Sequence, residues 1–317
     1  MPLRPLLFAA AILAFFAAPQ LLPEFYLFQI CLIAGTSLAV LGLVVVTGLA
    51  GQISLSQSAF VALGGYGASI LATSWGVPLW AGIPAVAVVV AGLGFLLGQM
   101  TLRVAGHYLA LATLAVTAIV QLALIHWEAL TGGAAGMAVP PFEIMGRALT
   151  NGRDLYYVIV PVTALFILIA QNLIASRFGR ALTAIRQSET AAEAMGLDVL
   201  RYKAAAFAAS AFLGAVSGGL LAPLSTYLDP AQYGITYAIY FLAIAVVGGM
   251  TSPFGAVIGS AVFVLLPNYL QAFQSYLGLV FALLLLGFIV LRPNGLSSLP
   301  WLRQAGALLH RTAGPKP

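Results

Sequence analysis

Charge is what this chain most lacks. Of its 317 residues only 7% are Asp, Glu, Lys or Arg, against 62% hydrophobic, where soluble domains carry about 25% charged residues. No aqueous fold hides that much apolar surface, so composition excludes a soluble enzyme and gives an all-α, polytopic membrane protein. The only lysines are Lys203 and Lys316. Neither follows a Gly-x-x-x-x-Gly, so the chain has no phosphate loop of that type. The single cysteine, Cys31, lies in an apolar run and cannot form an intrachain disulfide. The three histidines, His107, His126 and His310, fall at span ends or in the tail. No His, Cys or acid cluster has metal-ligand spacing, so we expect no metal site and no catalytic group.

The scarce acids are informative by position. All eight (Glu24, Glu128, Glu143, Asp154, Glu189, Glu193, Asp198, Asp229) lie in loops or at span ends. A charge at the bilayer centre costs about 3 kcal/mol or more and is kept there for function, as ion-driven carriers keep an acid. Its absence argues against ion coupling, so the energy for any transport comes from outside this chain. An ion-coupled secondary transporter of a small polar solute is the alternative reading.

What is present is a succession of apolar runs. A first run fills residues 1–23 and reads either as a retained span or as a cleavable signal peptide. Others follow at 25–47, 48–75, 77–100, 108–125, 155–175, 204–222, 234–247, 256–269 and 273–291, at roughly 20 residues per crossing. Basic residues cluster beside these runs, which makes the net charge of +5 a topology signal rather than a nucleic-acid footprint. With the Arg4 end in the cytoplasm and ten crossings, Arg103, residues 176–203 and the tail beyond 291 all fall inside. The expectation is ten helices, N-in and C-in. A permease domain would cover 1–296 and a basic cytoplasmic tail 297–317. Five plus five is also the count of an inverted repeat.

Two polar stretches interrupt the oil. Residues 48–60 read GLAGQISLSQSAF and carry no charge. Gln52, Ser54, Ser56, Gln57 and Ser58 form either a small-residue packing face or a broken helix lining a path for a polar solute. Thr113, Thr117 and Gln121 repeat at i, i+4 and i+8. They share a face that lines the same path, or they bond back to their own helix. The turn TGGAAGM, 131–137, reads as a lid, a partner contact or a plain loop.

The second stretch, 176–203, holds Arg177, Arg180, Arg186, Arg201 and Lys203 with Glu189, Glu193 and Asp198. Gly179 is placed to break the preceding helix. Thr190 and Glu193 have capping-box spacing, Gly196 suits a C-terminal stop, and Asp198 can cap the next span. The pattern describes a short helix between two breaks. It is either a docking surface or a solvated connector.

Within it, TAAEAMG resembles the cytoplasmic "EAA" loop of permease subunits in ATP-binding-cassette importers. Ala191, Ala192 and Gly196 match; Thr190 takes the leading Glu position, with Glu189 displaced by one. GLAGQISLSQSAF, GHYLALATLA, TGGAAGM, FGRALTAIRQSETAAEAMGLDVLRYK and VVGGMTSPFGAVIG, in this order, closely resemble the branched-chain amino-acid permease family, most of all its M-type subunit. The resemblance implies an importer half in the bacterial cytoplasmic membrane. It implies a sister permease, two cytoplasmic ATPases that use ATP and Mg, and an extracytoplasmic binding protein as partners, with no cofactor on this chain. It makes Arg186, Glu189, Thr190, Ala191, Ala192, Glu193 and Gly196 the ATPase-coupling residues. Substrates would be branched-chain or related small amino acids and amides.

Overall fold

The structure, a computed structural model, describes residues 15–100, 107–144, 146–149 and 151–269, with 280, 283, 286 and 287. Most of the first expected span, Arg103, the tenth expected span and the basic tail lie outside the described residues. Residues 15–21 are helical. Helix α1, Glu24–Leu43, continues as a π-helix over Val44–Leu49. After it come α2, Gln57–Trp75, α3, Leu79–Gln99, and α4, His107–His126. Short pieces follow: α5, Glu128–Thr131, a 3₁₀ turn at Gly133–Ala135, β1, Met137–Ala138, β2, Phe142–Ile144, and β3, Arg147–Leu149. Then come α6, Gly152–Ala175, α7, Arg177–Gln187, α8, Glu189–Ala194, and α9, Val199–Ser225. Strand β4, Tyr227–Leu228, and a 3₁₀ turn, Pro230–Tyr233, lead to α10, Ile235–Gly248, and α11, Pro253–Tyr269.

The two most enclosed spans are α1 with its π extension, 83% buried, and α9, 78% buried. They pack on each other, α9 also against α2 and α3, and α1 also against α6 and α11. Small residues make this closeness workable, since apolar surface gains little by leaving lipid for protein and van der Waals contact must hold the helices. Gly94 and Gly98 of α3 seat on Phe207, Ala211 and Ala204 of α9; Gly218 of α9 seats on the Val61 carbonyl of α2. Ser217 Oγ donates to Gly35 O at 2.7 Å and Thr163 Oγ1 to Ala34 O at 3.2 Å, which ties α9 and α6 to α1. By contrast α3, α4 and α6 turn most of their surface outward, at 39%, 22% and 17% buried.

Among the described residues five helices are long and apolar enough to cross a membrane: Glu24–Leu49, Leu79–Gln99, Tyr108–His126, Gly152–Ala175 and Val199–Ser225. The expected spans at 48–75 and 234–247 differ from this. Residues 51–56 are not helical, and the helix begins only at Gln57. Helix α10 has 14 residues, about 21 Å, short of the roughly 30 Å of hydrocarbon. It meets α11 at a bend of 118°, as a broken span or a re-entrant pair. Helix α2 starts inside the bundle, with Gln57, Ser58, Ala59 and Phe60 all buried, so its start is set by protein contacts rather than by the membrane surface. Helix α10 begins with exposed Ile235 and Thr236 and is cut short by the bend into α11.

Two small antiparallel pairings close one end: β2 with β3, and β1 with β4 in the register Met137↔Leu228 and Ala138↔Tyr227. Thr131 Oγ1 donates to Leu124 O at 2.6 Å and Tyr66 Oη to Leu228 O at 3.0 Å. The TGGAAGM turn is therefore anchored to the helix ends beneath it.

Close packing at Gly218 yields a stability test. Gly218→Leu drives a side chain into the Val61 backbone and is expected to cost about 1–3 kcal/mol or more by overpacking. Gly92→Ala, where nothing lies within 4 Å of the added carbon, is expected to be neutral or stabilising by up to ~1 kcal/mol. Thermal midpoints in detergent decide. Equal midpoints for the two variants would contradict this packing.

Candidate functional site

The polar residues of 48–60 do not share one helical face. Gln52, Ser54 and Ser56 lie on a non-helical bridge, 51–56, between the π-helix and α2, and Gln57 and Ser58 open α2. The π turn widens the helix and lets it end late: Ala50 N–H bonds Val45 O at 3.3 Å and Gln52 N–H bonds Val46 O at 3.1 Å. π-Turns recur at functional sites. Gly51 then turns the chain at φ +71°, a left-handed conformation that favours glycine.

Exposed backbone in a bundle interior needs partners, and the sequence-predicted path residues supply them. Leu55 N–H donates to Thr113 Oγ1 at 2.9 Å, and Thr117 Oγ1 donates to Leu55 O at 2.8 Å. The i, i+4 threonines of α4 thus grip both backbone groups of one residue in the bridge. Thr113 also bonds back to Ala110 O at 2.9 Å, as the back-bonding reading expects. Ser54 and Ser56 pair through their hydroxyls at 2.9 Å. Gln57 Oε1 accepts from Ser210 Oγ at 2.9 Å. Ser210 lies 11 residues beyond the start of α9, about 16 Å along that helix, so α2 begins deep in the bundle.

A second break faces the first. After α9 the chain dips through 226–234 before α10 starts, and Ser58 Oγ donates to Tyr233 O at 2.8 Å. The first turn of α2 thus touches the lead-in to α10. Gln121 Nε2 reaches Ala231 O at 3.2 Å and Pro230 O at 3.4 Å. The structure therefore unites all eight predicted residues around two facing breaks, seven of them with hydrogen-bond partners. Gln52 is the exception: its Oε1 is buried without a partner among the described residues.

At the carboxyl end of the π-helix, where the bridge begins, sits the polar loop. Its helices are bounded differently from the sequence reading. The break after α6 falls at Ser176, whose Oγ accepts from Gly179 N–H at 3.3 Å; Gly179 is packed inside α7 against the carbonyls of α6. The N-cap of α8 is Ser188, accepting from Ala191 N–H at 3.3 Å, rather than Thr190. Serine is the better cap because it lacks the β-methyl, and Ser188 takes the extended φ of −160° a cap needs. The other end follows the expectation. Gly196 adopts φ +82°, with its N–H on Glu193 O at 2.9 Å and Leu197 N–H on Ala192 O at 3.1 Å, a Schellman closure. Asp198 Oδ1 caps α9, accepting from Arg201 N–H at 3.1 Å.

This loop has an outer face and an anchoring face. Thr190, Ala191, Glu193 and Gly196 are exposed, and Met195 is 85% exposed at the tip. Ala192 is buried against Ile185 and Val199, so it anchors α8 instead of facing outward. Two charges tie the loop to the central helices. Arg186 Nη1 donates to Gly48 O in the π-helix, and its Cγ lies 2.7 Å from where a Gly51 side chain would begin. Lys203, on α9 and 5% exposed in its side chain, pairs with Glu189 at 2.7 Å. Sequence reasoning missed Ser188 as the cap of α8 and Lys203 as the buried partner of Glu189. The signal for Lys203 was its rarity, as the one lysine outside the C-terminal tail.

Broken helices meeting inside an apolar bundle, beside a tethered polar loop, define a multi-pass membrane protein with the construction used by transporters. Comparison with known proteins sharpens this. The family described as branched-chain amino acid transport system / permease component matches residues 25–290, and the chain belongs to that family. It is 31% identical, over 81% of its own length and 66% of the relative's, to the high-affinity branched-chain amino acid transport system permease protein LivM of Escherichia coli (strain K12). The same figures hold for LivM of Salmonella typhimurium. A probable LivM of Methanocaldococcus jannaschii is 23% identical over 68% of each chain. The chain thus spans just under two thirds of the length of the first two relatives. No solved structure matches it.

The Glu189–Lys203 pair carries an asymmetric prediction. Glu189→Ala strands a buried ammonium and is expected to destabilise by about 1–3 kcal/mol, below the ~3–5 of fully buried pairs because Glu189 is 55% exposed. Lys203→Met keeps the stem and is expected to cost under about 1 kcal/mol. The double variant should match Lys203→Met in thermal midpoint. Equal losses for the two single variants would contradict a desolvated lysine.

Proposed function

We propose that this chain is the permease subunit of an ATP-binding-cassette importer that carries branched-chain or related small amino acids and amides across the bacterial cytoplasmic membrane. The observation that carries the reading is α8. It is a short helix with an exposed Thr190–Ala191–Glu193–Met195 face, and its loop is bonded at Arg186 to the π-helix and at Glu189 to α9. A partner pressing on α8 moves the ends of both central helices. Family membership and the relatives' names support the importer class and the substrate class.

In this reading ATP and Mg are bound by two cytoplasmic ATPase subunits and not by this chain. A sister permease completes the membrane half, and an extracytoplasmic binding protein delivers the solute. Arg186, Glu189, Thr190, Ala191, Ala192, Glu193 and Gly196 form or hold the coupling surface, with Met195 added at its tip. Gln52, Ser54, Ser56, Gln57, Ser58, Thr113, Thr117 and Gln121 form the frame of the path. Motion of α8 passes through Arg186 to Gly48 and Gly51, where the bridge at 51–56 begins. The transmembrane part is N-in and C-in and built as an inverted repeat, with α2 and α10 as the broken segments of its two halves. Supporting that repeat, α3 lies along α9 as α11 lies along α1, and α2 and α10 both start after a non-helical dip. The alternation of access is a two-state equilibrium biased by the ATPase.

The test is co-purification of the membrane-embedded chain with its ATPase subunits, then ATP hydrolysis with and without binding protein. Stable association, lost when Met195→Glu and Ala191→Glu are combined, is the expected result. Ion-driven amino-acid uptake by the chain alone, with no associated ATPase, would overturn the reading in favour of a secondary transporter.

A further inference from the structure

The hairpin of β2 and β3 lies against the starts of α3 and α6. Its register pairs Phe142 with Leu149 and Ile144 with Arg147, and strand alternation puts these four side chains on one face. Phe142 is buried, and β2 packs on α3. Arg147 thus shares the helix-facing side of the hairpin with three apolar residues. There it lines a hollow of about 310 Å³ with Ile144, Leu149, Asp154, Tyr157 and Val158. A second hollow, of about 590 Å³, shares Ile144 and is walled by Pro78, Trp80, Glu143 and Gly146.

Position places these hollows at a membrane surface. Tyr157 and Val158 sit in the second turn of α6, about 7–9 Å along the helix, so the first hollow runs down its flank. The other end of this 24-residue helix carries the polar loop, about 36 Å away. The hairpin therefore stands at the opposite face of the bilayer. Trp80 and Tyr157 expose their rings at this level, and Phe16 lies beside Tyr157 at 6.3 Å. Exposed Trp and Tyr mark the headgroup boundary. Further along, α3 turns Val88, Val89 and Leu93 outward, and α6 turns Leu165, Leu168 and Ile169 outward.

The charges are arranged for a zwitterion. Arg147 and Asp154 line one hollow yet form no ion pair, and neither side chain has a hydrogen-bond partner among the described residues. A guanidinium binds a phosphate through two parallel N–H bonds, and a carboxylate accepts from a primary ammonium. We propose that the hairpin and the first two turns of α3 and α6 hold one phospholipid with a zwitterionic, primary-ammonium headgroup of the ethanolamine type. Its phosphate sits on Arg147, its ammonium on Asp154, and its acyl chains run along the apolar faces of α3 and α6. Glu143, in the second hollow, adds a carboxylate that disfavours a net-anionic headgroup. The assignment needs the chain to be embedded in a bilayer but does not need the importer reading.

The test is native mass spectrometry of the detergent-purified full chain with its co-purified subunits, titrated with dioleoyl phospholipids. Phosphatidylethanolamine is expected as a single tight adduct. Phosphatidylcholine, whose ammonium has no N–H, and phosphatidylglycerol, which has no cation, should each be retained about tenfold more weakly. Arg147→Ala should weaken phosphatidylethanolamine retention about tenfold, and Asp154→Asn should remove the preference over phosphatidylcholine, both at an unchanged thermal midpoint. Val158→Trp, which fills the first hollow, should abolish the adduct. Glycerophosphoethanolamine, the free headgroup, should not compete at the same concentration. Should Asp154→Asn fail to fold, the three headgroups and Arg147→Ala decide. Equal retention of the three lipids, an adduct unchanged in folded Arg147→Ala and Val158→Trp, or equal competition by the free headgroup would each overturn the lipid site. An unchanged adduct in Arg147→Ala together with lost capture of a soluble extracytoplasmic protein would also overturn it and give the hairpin to that protein. The two readings fail separately: absence of the adduct removes the lipid site, and absence of an associated ATPase removes the importer reading.

Discussion

Everything in this molecule turns on how non-helical backbone is kept satisfied inside a bundle that offers almost no water and no charge. Each unpaired N–H or C=O in such a place costs as much as a lost hydrogen bond or more. The chain nonetheless leaves the helix at 51–56, and again at 226–234, where Thr226, Tyr227, Ala231 and Gln232 are exposed and a 3₁₀ turn intervenes. The first break survives because Thr113 and Thr117 saturate Leu55 and because Gln57 is held by Ser210. The second survives because Gln121 and Ser58 saturate the carbonyls of Pro230, Ala231 and Tyr233. These side chains are uncharged; at the second break the Asp229 carboxylate adds one charged acceptor, to Ala231 N–H at 2.9 Å. Neutral donors and acceptors hold a bent chain without the desolvation cost of ions, and they can be exchanged for a moving chain's alternatives at low cost.

The same economy explains the loop. Charge is concentrated where solvent is available, and only two charged groups reach back to the central helices. Arg186 meets the carbonyl end of the π-helix, where the helix dipole favours a cation. Lys203 is enclosed and needs Glu189. Each contact joins the loop to a different central helix, so a displacement of α8 is felt by both. The fixed geometry around α8, with Ser188 at one end and the Schellman turn at Gly196 at the other, makes it a rigid piece rather than a slack connector.

Much of this was legible in the sequence and some of it was not, for physical reasons. Long apolar runs mark helices that cross the whole bilayer, so α1, α3, α4, α6 and α9 fall where hydropathy puts them, whether they turn outward or, like α1 and α9, are enclosed by other helices. Hydropathy reads poorly for α2, whose start is set by protein contacts such as Ser210, and for α10, which is cut short by the bend into α11. The path residues were recognisable as polar groups without charge, but spacing alone could not say that they bond to each other. In the loop, glycine and aspartate signals were decisive: Gly196 and Asp198 act where their chemistry suggested. The capping-box spacing pointed to Thr190, but the extended backbone two residues earlier makes Ser188 the cap. The burial of Lys203 left no local trace, since its partner is 14 residues away in a different helix.

The central claim is that α8 is joined mechanically to the bridge at 51–56 through Arg186. Hydrogen–deuterium exchange of the peptide spanning 48–56, in the assembled complex with and without ATP, tests it most directly. Nucleotide is expected to change exchange in this peptide in the wild type. Arg186→Met should abolish that change while leaving the ATPase subunits bound. Exchange indifferent to nucleotide, or a nucleotide effect that survives Arg186→Met, would contradict the claim.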